Sequence, residues 1–365
     1  MSTASGPNVV IIGGSYAALH AATIVAGLPK VGTITLISQS PSAFFNIGAP
    51  KLLTQPNYFP AFLVPVADQL VTNTSNKATL VLGLVNNIDL SAKKILVINQ
   101  ANTMVTYSYD IVIVATGFLT AFAGFGVNND IAATQNAISN TGQALKTAKT
   151  VAVIGGDDYG VQTAGGIAET FLQAKVTFFS LMTAPMIDKG LSAKATKKLN
   201  ALKVDIINNV KASGDPSTGI VTYPDGTTAQ FDIVINCFLN TPNTSFLPAS
   251  VLDKSNSVVT RGLQIKGFED SAFAFGDIVS GSPKTLLDLR MAQSPILQQS
   301  LKTVAASFPK SSGNTIPTYK PYKSLTIVPI GAKGGVGKWG IFPIPSFAIS
   351  LIYNYMAGLA QVLFQ

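Results

Sequence analysis

The sequence contains few of the residues on which disulfide, zinc and triad chemistry depend. Its 365 residues include one cysteine and one histidine. A lone cysteine excludes an intrachain disulfide, a CxxC redox pair and a cysteine-based zinc cluster, and Cys237 lies in an apolar run that favours a buried structural thiol. A Ser/His/Asp triad would require His20, which falls on a predicted helix where packing or lining of a binding site is favoured. We predict no metal site, and the sequence identifies no catalytic side chain.

Charged residues are also scarce, at 12% of the chain. The net charge of +8 comes from scattered lysines without a dense basic block, so nucleic acid is not an expected partner. A hydrophobic content of 47% at this length predicts two to three domains with sizeable cores. The first strand pattern begins at Val9, which leaves no room for a secretory leader, and we expect a cytoplasmic protein.

A glycine turn follows the first buried-strand pattern. The strand Val9–Ile12 runs into Gly13-Gly14-Ser15, then a helix over Tyr16–Ala26 and a strand over 33–37. This order predicts a βαβ nucleotide-binding unit with a G-x-G-x-x-G/A turn, in which Ala18 takes the last position. Ser15 replaces the middle glycine, which normally lets the backbone approach a pyrophosphate. Ser38 stands where an acidic residue usually accepts ribose hydrogen bonds.

The same unit is repeated about 140 residues later. A strand over 151–154 leads into Gly155-Gly156-Asp157, a helix over 160–173 and a strand over 175–179. Here Asp157 replaces the middle glycine. A carboxylate roughly 4 Å from a phosphate charge costs about 1 kcal/mol in water and about 4 kcal/mol at an effective dielectric of about 20. At both turns the alternative is a glycine bend that binds no ligand. This alternative carries more weight at the second turn than at the first.

Later segments extend the repeat. The apolar runs 109–117 and 231–237 correspond to each other, and the strand pattern 272–278 ends in Gly276-Asp277. We predict an α/β fold with two Rossmann-like dinucleotide-binding domains and a C-terminal segment. The predicted boundaries are 1–120 with 240–320 for the first domain, 121–239 for the second and 321–365 for the C-terminal segment.

These segments together resemble two-domain flavoproteins of glutathione-reductase-like fold, over nearly the whole chain. The resemblance rests on both glycine turns, on 48–51, 109–117, 161–167 and 275–277, and on Val336-Gly337. It looks closest to the apoptosis-inducing-factor-like and ferroptosis-suppressor NAD(P)H:quinone oxidoreductases, with type II NADH dehydrogenases more distant. Four positions depart from the family pattern. The family usually has an acidic residue at Ser38, a glycine or similarly permissive residue at Asp157, and glutamate at both Gln162 and Gly166.

The resemblance implies two cofactors, FAD at the first turn and NAD(P)H at the second. Lys51 would approach the flavin, and Asp277 would bind the ribityl chain. The positions that it assigns to FAD are Gly13, Gly14, Ser15, Ala18, Ser38, Lys51, Val85, Ala115, Thr116, Gly117, Gly276 and Asp277. Those that it assigns to a degraded NAD(P)H site are Gly155, Gly156, Asp157, Gly160 and Gln162.

Two functions of different class follow. The first is an FAD-dependent oxidoreductase that passes electrons from NAD(P)H to a quinone-like or other small hydrophobic acceptor. The second is a degenerate member that retains the fold but has lost the nicotinamide site, and that performs redox-neutral chemistry, such as cyclisation or isomerisation of an apolar metabolite, or only binds a ligand. Asp157 and Ser38 motivate this second hypothesis.

The C-terminal stretch 341–364 has 24 residues without a charge. Its length would permit a membrane span, but its prolines and polar residues favour a helix at a membrane surface or one packed on the protein or on a second copy in a homodimer. A peripheral membrane protein is therefore the alternative to a purely cytoplasmic one. The final 361–365 resembles a protease-tag remnant.

Overall fold

The computed structural model describes residues 6–127, 130–155, 157–186, 188–309, 317–322 and 325–358. Its strands are β1 (Val9–Ile12), β2 (Ile34–Ser38), β3 (Ser42–Phe44), β4 (Leu63–Pro65), β5 (Ala78–Asp89), β6 (Lys94–Asn99), β7 (Met104–Ser108), β8 (Ile111–Val114), β9 (Phe118–Thr120), β10 (Thr150–Ile154), β11 (Lys175–Phe179), β12 (Asp205–Ile207), β13 (Ser213–Asp215), β14 (Ile220–Thr222), β15 (Thr228–Gln230), β16 (Ile233–Asn236), β17 (Leu239–Pro242), β18 (Thr260–Arg261), β19 (Gln264–Ile265), β20 (Ala272–Ala274), β21 (Leu325–Pro329), β22 (Gly335–Trp339) and β23 (Phe342–Pro343). Its α-helices are α1 (Tyr16–Ala26), α2 (Ala49–Leu52), α3 (Val66–Thr74), α4 (Ile131–Leu145), α5 (Asp157–Thr170), α6 (Lys189–Ala201), α7 (Leu286–Asp288), α8 (Ser294–Ser307) and α9 (Ser346–Gly358).

The largest sheet has the strand order β18-β19-β20-β8-β1-β2-β5-β6-β7. Its centre is parallel, with β1 between β2 and β8 and with β20 beyond β8. All residues of β1 and β8 are buried, as expected for parallel strands that are covered on both faces. Because Ile12, Val114 and Ala274 are in register, the segments that follow these three strands leave the sheet at the same edge.

A second, four-stranded parallel sheet has the order β12-β11-β10-β16. In it β10 pairs with β11 and β16 in the way that β1 pairs with β2 and β8. The predicted internal repeat is therefore present in three dimensions, and the α/β fold with two nucleotide-binding-type sheets is confirmed. The domain boundaries at 120, 239 and 320 stay predictions.

Most predicted elements match within a few residues, and the differences have local causes. Helix α5 begins at Asp157, three residues before the predicted start. The region 40–75, predicted as a loop with one short helix, contains α2, α3, a β3–β4 pair and 3₁₀ turns. These elements are too short to show a clear helical or strand period in the sequence, and the prolines and aromatic residues of the region interrupt the pattern further. The predicted hairpin turn at 224–227 joins the antiparallel strands β14 and β15.

The C-terminal elements form an antiparallel sheet, β21-β22-β23, on which α9 packs. Within the described residues, no helix has the length and apolarity needed to cross a membrane. Helix α9 lies close to β22 because two strand positions are glycine. A Cβ added to Gly335 or Gly337 would lie 2.5 Å from a side-chain carbon of the buried Ile349.

We expect Gly337→Ala to lower the free energy of unfolding by about 1–3 kcal/mol, the usual cost of overpacking a core. The added Cβ would meet both Ile349 and the backbone oxygen of Thr326 at 2.7 Å. Urea unfolding measures the effect. Combining it with Ile349→Ala should give less than the sum of the two single effects, whereas strict additivity would show that the Ile349 contact is not the cause.

Candidate functional site

The first glycine turn is held between the ends of two neighbouring strands. Gly13 has a φ of +129°, and a Cβ there would lie 2.3 Å from the backbone oxygen of Ala115. A Cβ on Gly14 would lie 2.0 Å from the Ser38 hydroxyl oxygen. That hydroxyl is buried and donates to the backbone oxygen of Ser40 at 2.6 Å. Neither glycine position can accept a side chain without moving an adjacent strand end.

Helix α1 begins directly after this turn. Ser15 is its N-cap in extended conformation, and the Ser15 side chain makes no capping hydrogen bond. The first N–H groups of a helix have no intrahelical partner, and they attract anions together with the helix dipole. The turn therefore fits a pyrophosphate, as the sequence predicts. Ala18, at the last fingerprint position, is fully buried.

The segment after β8 passes beside the same turn. Thr116 donates from its hydroxyl to the backbone oxygen of Asn243 at 2.6 Å, and the Asn243 N–H donates to the backbone oxygen of Gly117 at 2.9 Å. Gly117 has a φ of +64°, with no atom within 4 Å of an added Cβ. The 115–117 segment is thus fixed by backbone contacts on one side and open on the other.

Gly276 and Asp277 follow β20 at this edge. Gly276 has a φ of +88°, and an added Cβ would lie 2.7 Å from the Cβ of Ala17 in the first turn of α1. Burial raises the pKa of Asp277 to about 6, against the opposing attraction of Lys284. Within the described part of the chain, the Asp277 carboxylate accepts no hydrogen bond. A half-buried acceptor beside an open helix N-terminus fits a ligand that offers hydroxyl donors, such as the polyol chain of FAD.

A buried polar cluster that the sequence analysis missed supports Gly276. The Gly276 N–H donates to Oε1 of Gln293 at 2.7 Å, and Nε2 of Gln293 donates to the Asp288 carboxylate at 2.8 Å. The fully buried Asp288 also accepts from the Tyr319 hydroxyl and the Tyr322 N–H. Gln293 ends a π-helical turn, a distortion that often occurs near functional sites. No sequence spacing rule connects these residues to Gly276.

In the second glycine turn, the first glycine has nearly the same φ as Gly13. Gly155 has a φ of +127°, and an added Cβ would lie 3.1 Å from the carbonyl carbon of Cys237. A Cβ on Gly160 would lie 2.1 Å from the Gly155 oxygen. Gly156 and the side chain of Asp157 lie outside the described residues, so the predicted position of this carboxylate beside a phosphate stays a prediction.

Lys51 and Gln162, assigned to different cofactors by the sequence, line the same cavity between α2, α5 and α9. The Lys51 ammonium donates to Oδ1 of Asn354 at 2.9 Å and lies 4.6 Å from the ring centre of Tyr58. Burial lowers the pKa of Lys51. Val85 is buried in β5, which β2 separates from β1, and its role at the cofactor stays a prediction.

The single cysteine is buried, and the single histidine is partly buried. Burial raises the pKa of the Cys237 thiol to about 12, so it is not a nucleophile at neutral pH. The His20 ring stacks on Phe275 at 6.4 Å, and burial lowers its pKa. Its Nδ1 is buried without a hydrogen-bond partner among the described residues. Among those same residues, no cluster of potential metal ligands occurs.

Comparison with known proteins identifies the family. The model of the pyridine nucleotide-disulphide oxidoreductases matches residues 7–295. The chain therefore belongs to that family and is an oxidoreductase.

Individual relatives agree with this assignment. Oxidoreductase ptaL of Pestalotiopsis fici is 29% identical over 371 residues, which cover 94% of this chain and 95% of the relative. Ferroptosis suppressor protein 1 of Xenopus tropicalis is 23% identical over 361 residues, covering 93% and 90%. The structure of NDH2 from Plasmodium falciparum in complex with NADH matches with a TM-score of 0.74 at 12% identity, covering 98% of this chain and 97% of that one. The resemblance seen in the sequence is confirmed.

The raised pKa of Asp277 predicts a pH-dependent stability in protein stripped of bound ligand. A carboxyl whose folded-state pKa lies above its ordinary 3.8 stabilises the fold when protonated, and this contribution is lost as the pH rises through about 6. We expect Asp277→Asn, which stays uncharged, to be more stable than the parent by about 2–3 kcal/mol above pH 6 and equal to it near pH 4. Urea unfolding across this pH range measures the difference.

Asp225→Asn is the control. Asp225 lies in the exposed turn after β14, where hydrogen bonds from Thr227 lower its pKa, so its replacement should give no stabilisation at neutral pH. A pH-independent effect of Asp277→Asn would contradict the prediction.

Proposed function

We propose that this oxidoreductase binds FAD at the first glycine turn and NAD(P)H at the second, and that it passes electrons to a quinone-like or other hydrophobic acceptor. The observation that carries the proposal is the matched pair of turns, in which Gly13 and Gly155 have φ angles of +129° and +127°. Each turn leads from a buried parallel strand into a helix. The NADH complex of the Plasmodium neighbour and the resemblance to quinone reductases support the two electron partners.

The chain's own residues would hold FAD in defined ways. The first N–H groups of α1 would bind the pyrophosphate, and Asp277 would accept hydrogen bonds from the hydroxyl groups of the polyol. Oε1 of Gln293 accepts from the Gly276 N–H and Nε2 of Gln293 donates to the Gly276 oxygen at 3.4 Å, so Gln293 fixes the peptide groups on both sides of Gly276. When bound, FAD supplies the two-electron redox chemistry that the side chains of this protein lack.

Lys51 would contribute charge at the acceptor side. Its ammonium is half-buried beside α5 and is held in place by Asn354. A fixed cation in a partly desolvated site stabilises negative charge that develops on a bound molecule. Lys51 therefore fits a role in stabilising an oxygen that gains electron density during reduction.

The visible spectrum tests the proposal. We expect the purified protein to carry bound flavin and to lose its yellow colour when NADH or NADPH is added without oxygen. Gly13→Ala should lose FAD, because an added Cβ would collide with the Ala115 backbone oxygen. The matched variant Gly155→Ala should retain FAD but react with NAD(P)H at least about tenfold more slowly, since it introduces the same unfavourable φ for a side chain at the other turn.

Asp157→Gly separates the two hypotheses on the second turn. If the carboxylate repels the nucleotide phosphates, its removal should raise NAD(P)H affinity by roughly ten- to a thousandfold. Bound flavin that neither nucleotide reduces, in the parent and in this variant, would contradict the proposed electron donor. A colourless protein that cannot be reconstituted with FAD would instead support a redox-neutral or ligand-binding role.

We also propose that the C-terminal elements contact a membrane surface from which a hydrophobic acceptor enters. Trp339, Ile341 and Phe342, at the β22–β23 turn, are 64%, 88% and 71% exposed. Phe347, Leu351 and Tyr355, spaced four residues apart on one face of α9, are also exposed. We call these six residues the apolar surface. Lys194, Lys197 and Lys198 lie nearby, on a groove shared with 343–346.

The composition of this region favours a lipid partner over a second copy of the chain. Tryptophan, tyrosine and phenylalanine beside lysines are typical of surfaces that bind the headgroup region of anionic bilayers. The positive rim would repel the same rim of a second copy, whereas it complements phosphatidylserine.

Trp339 is the chain's only tryptophan, so its fluorescence reports binding directly. We expect its emission to shift to the blue with vesicles of phosphatidylcholine and phosphatidylserine, and less with phosphatidylcholine alone. Replacing Ile341 and Phe342 by Ser should weaken vesicle binding about tenfold or more, since each buried side chain contributes about 1.5–3 kcal/mol.

Leu172→Ser is the control, because Leu172 is equally exposed but lies in the α5–β11 connection. It should leave vesicle binding unchanged. Concentration-dependent dimerisation in sedimentation experiments, without a spectral shift on vesicles, would contradict a membrane role and assign the surface to a homodimer.

A further inference from the structure

A small polar cavity lies between three elements that are distant in sequence. Its walls come from α2, α5 and α9 and from the turn after β21, and its volume is ≈ 120 Å³. A cavity of about 150 Å³ holds one benzene molecule in another protein, so this one has the size of a single aromatic ring. The side chains that define its chemistry are Lys51, Gln162, Glu169 and Tyr353.

Two of the residues that line this cavity each have a buried polar atom with no hydrogen-bond partner among the described residues. These atoms are the hydroxyl of Tyr353, a residue only 7% exposed, and Oε1 of Gln162. Burial raises the pKa of Tyr353, so its hydroxyl keeps its proton and can donate it in a hydrogen bond. Gln162 Oε1 requires a donor. Unsatisfied buried groups destabilise a fold, and a bound molecule with one acceptor and one donor would satisfy both.

The cavity also has two electrostatically different ends. At one end the Lys51 ammonium contacts the neutral Asn354 and the ring of Tyr58, and it forms no ion pair within the described part of the chain. At the other end Glu169 accepts a hydrogen bond from the Ala332 N–H. Gln162 and Glu169 are seven residues apart on α5, which separates them by roughly 10 Å along the helix.

We propose that this cavity binds a single aromatic ring that carries an ionised oxygen and a hydroxyl group. The ionised oxygen, a carboxylate or a phenolate, binds Lys51 and accepts from Tyr353. The hydroxyl donates to Gln162 or, further along α5, to Glu169. As a substrate site this inference rests on the proposed oxidoreductase function, since it names the class of molecule that reaches the redox centre.

Ligand binding is measured by equilibrium dialysis, with 4-hydroxybenzoate as the probe and the protein as purified. Benzoate lacks the hydroxyl and phenol lacks the carboxylate. The probe 4-nitrophenolate has a phenolate as its ionised oxygen and, like benzoate, has no hydroxyl donor. We expect 4-hydroxybenzoate and 4-nitrophenolate to bind at least tenfold more tightly than phenol. If 4-hydroxybenzoate binds more tightly of the two, the site prefers a carboxylate as the ionised oxygen, and if 4-nitrophenolate does, it prefers a phenolate.

Variants test each contact. Lys51→Met should raise the Kd of 4-hydroxybenzoate ten- to a hundredfold and leave phenol within threefold, because it removes a charge-assisted hydrogen bond. Tyr353→Phe should raise it three- to tenfold. Gln162→Glu should weaken the charged probes and spare phenol, since the new carboxylate would compete for Lys51.

Lys254→Met is the control for net charge, because Lys254 is exposed and outside the cavity lining. The Lys254→Met substitution should change no Kd. If Lys51→Met fails to fold, Lys51→Arg serves in its place and should retain binding, because it keeps the cation. Equal Kd values for 4-hydroxybenzoate and phenol, or no effect of removing the Lys51 charge, would overturn the proposal. Flavin content and flavin reduction by NAD(P)H are recorded on the same preparations. Ring binding without redox activity would therefore contradict the proposed function but not the proposed binding site.

Discussion

The architecture depends on the close approach of one strand end to its neighbour at each glycine turn. Gly13 lies against the backbone oxygen of Ala115, and Gly155 lies against the backbone at Cys237. Parallel pairing brings these strand ends to one edge of each sheet. A side chain at either glycine would separate the strands at the point where the following helix begins. The same steric constraint therefore shapes both the sheet edge and the proposed anion site, and this explains why Gly13 and Gly155 have nearly the same φ although residues 15 and 157 differ.

Two aspartates near this edge of the sheet differ in whether the protein itself supplies their hydrogen-bond donors. Asp288 is fully buried and accepts hydrogen bonds from Gln293, Tyr319 and Tyr322. It is satisfied within the protein and stabilises the segment after β20. Among the described residues Asp277 has no such donors, and its charged form is disfavoured. An unsatisfied carboxylate destabilises the ligand-free fold, and a donor from the proposed FAD would remove this cost.

The sequence was sufficient to predict those elements whose bounds depend on neighbouring residues. Strand β1 and helix α1 have the bounds that their apolar period and glycine turn predict, because both signals lie within about twenty residues. It was insufficient where a contact joins distant segments. Lys51 and Asn354 are 303 residues apart, and the bond from Gly276 to Gln293 depends on a π-helical turn. No periodicity encodes these pairings. The resemblance supplied the residue types of the cofactor site, but not the polar support behind it.

Helix α9 takes part in both proposed binding surfaces, because neighbouring faces of this helix have different chemistry. Tyr353 and Asn354 line the cavity, while Phe347 and Leu351 are exposed on the apolar surface. Ile349 fixes the rotation of the helix by packing on the two glycines of β22. Any shift of α9 against β22 would therefore move the partner of the Lys51 ammonium as well as the apolar face. Since one helix carries both, the proposed membrane contact and the proposed ring binding would share one rigid element.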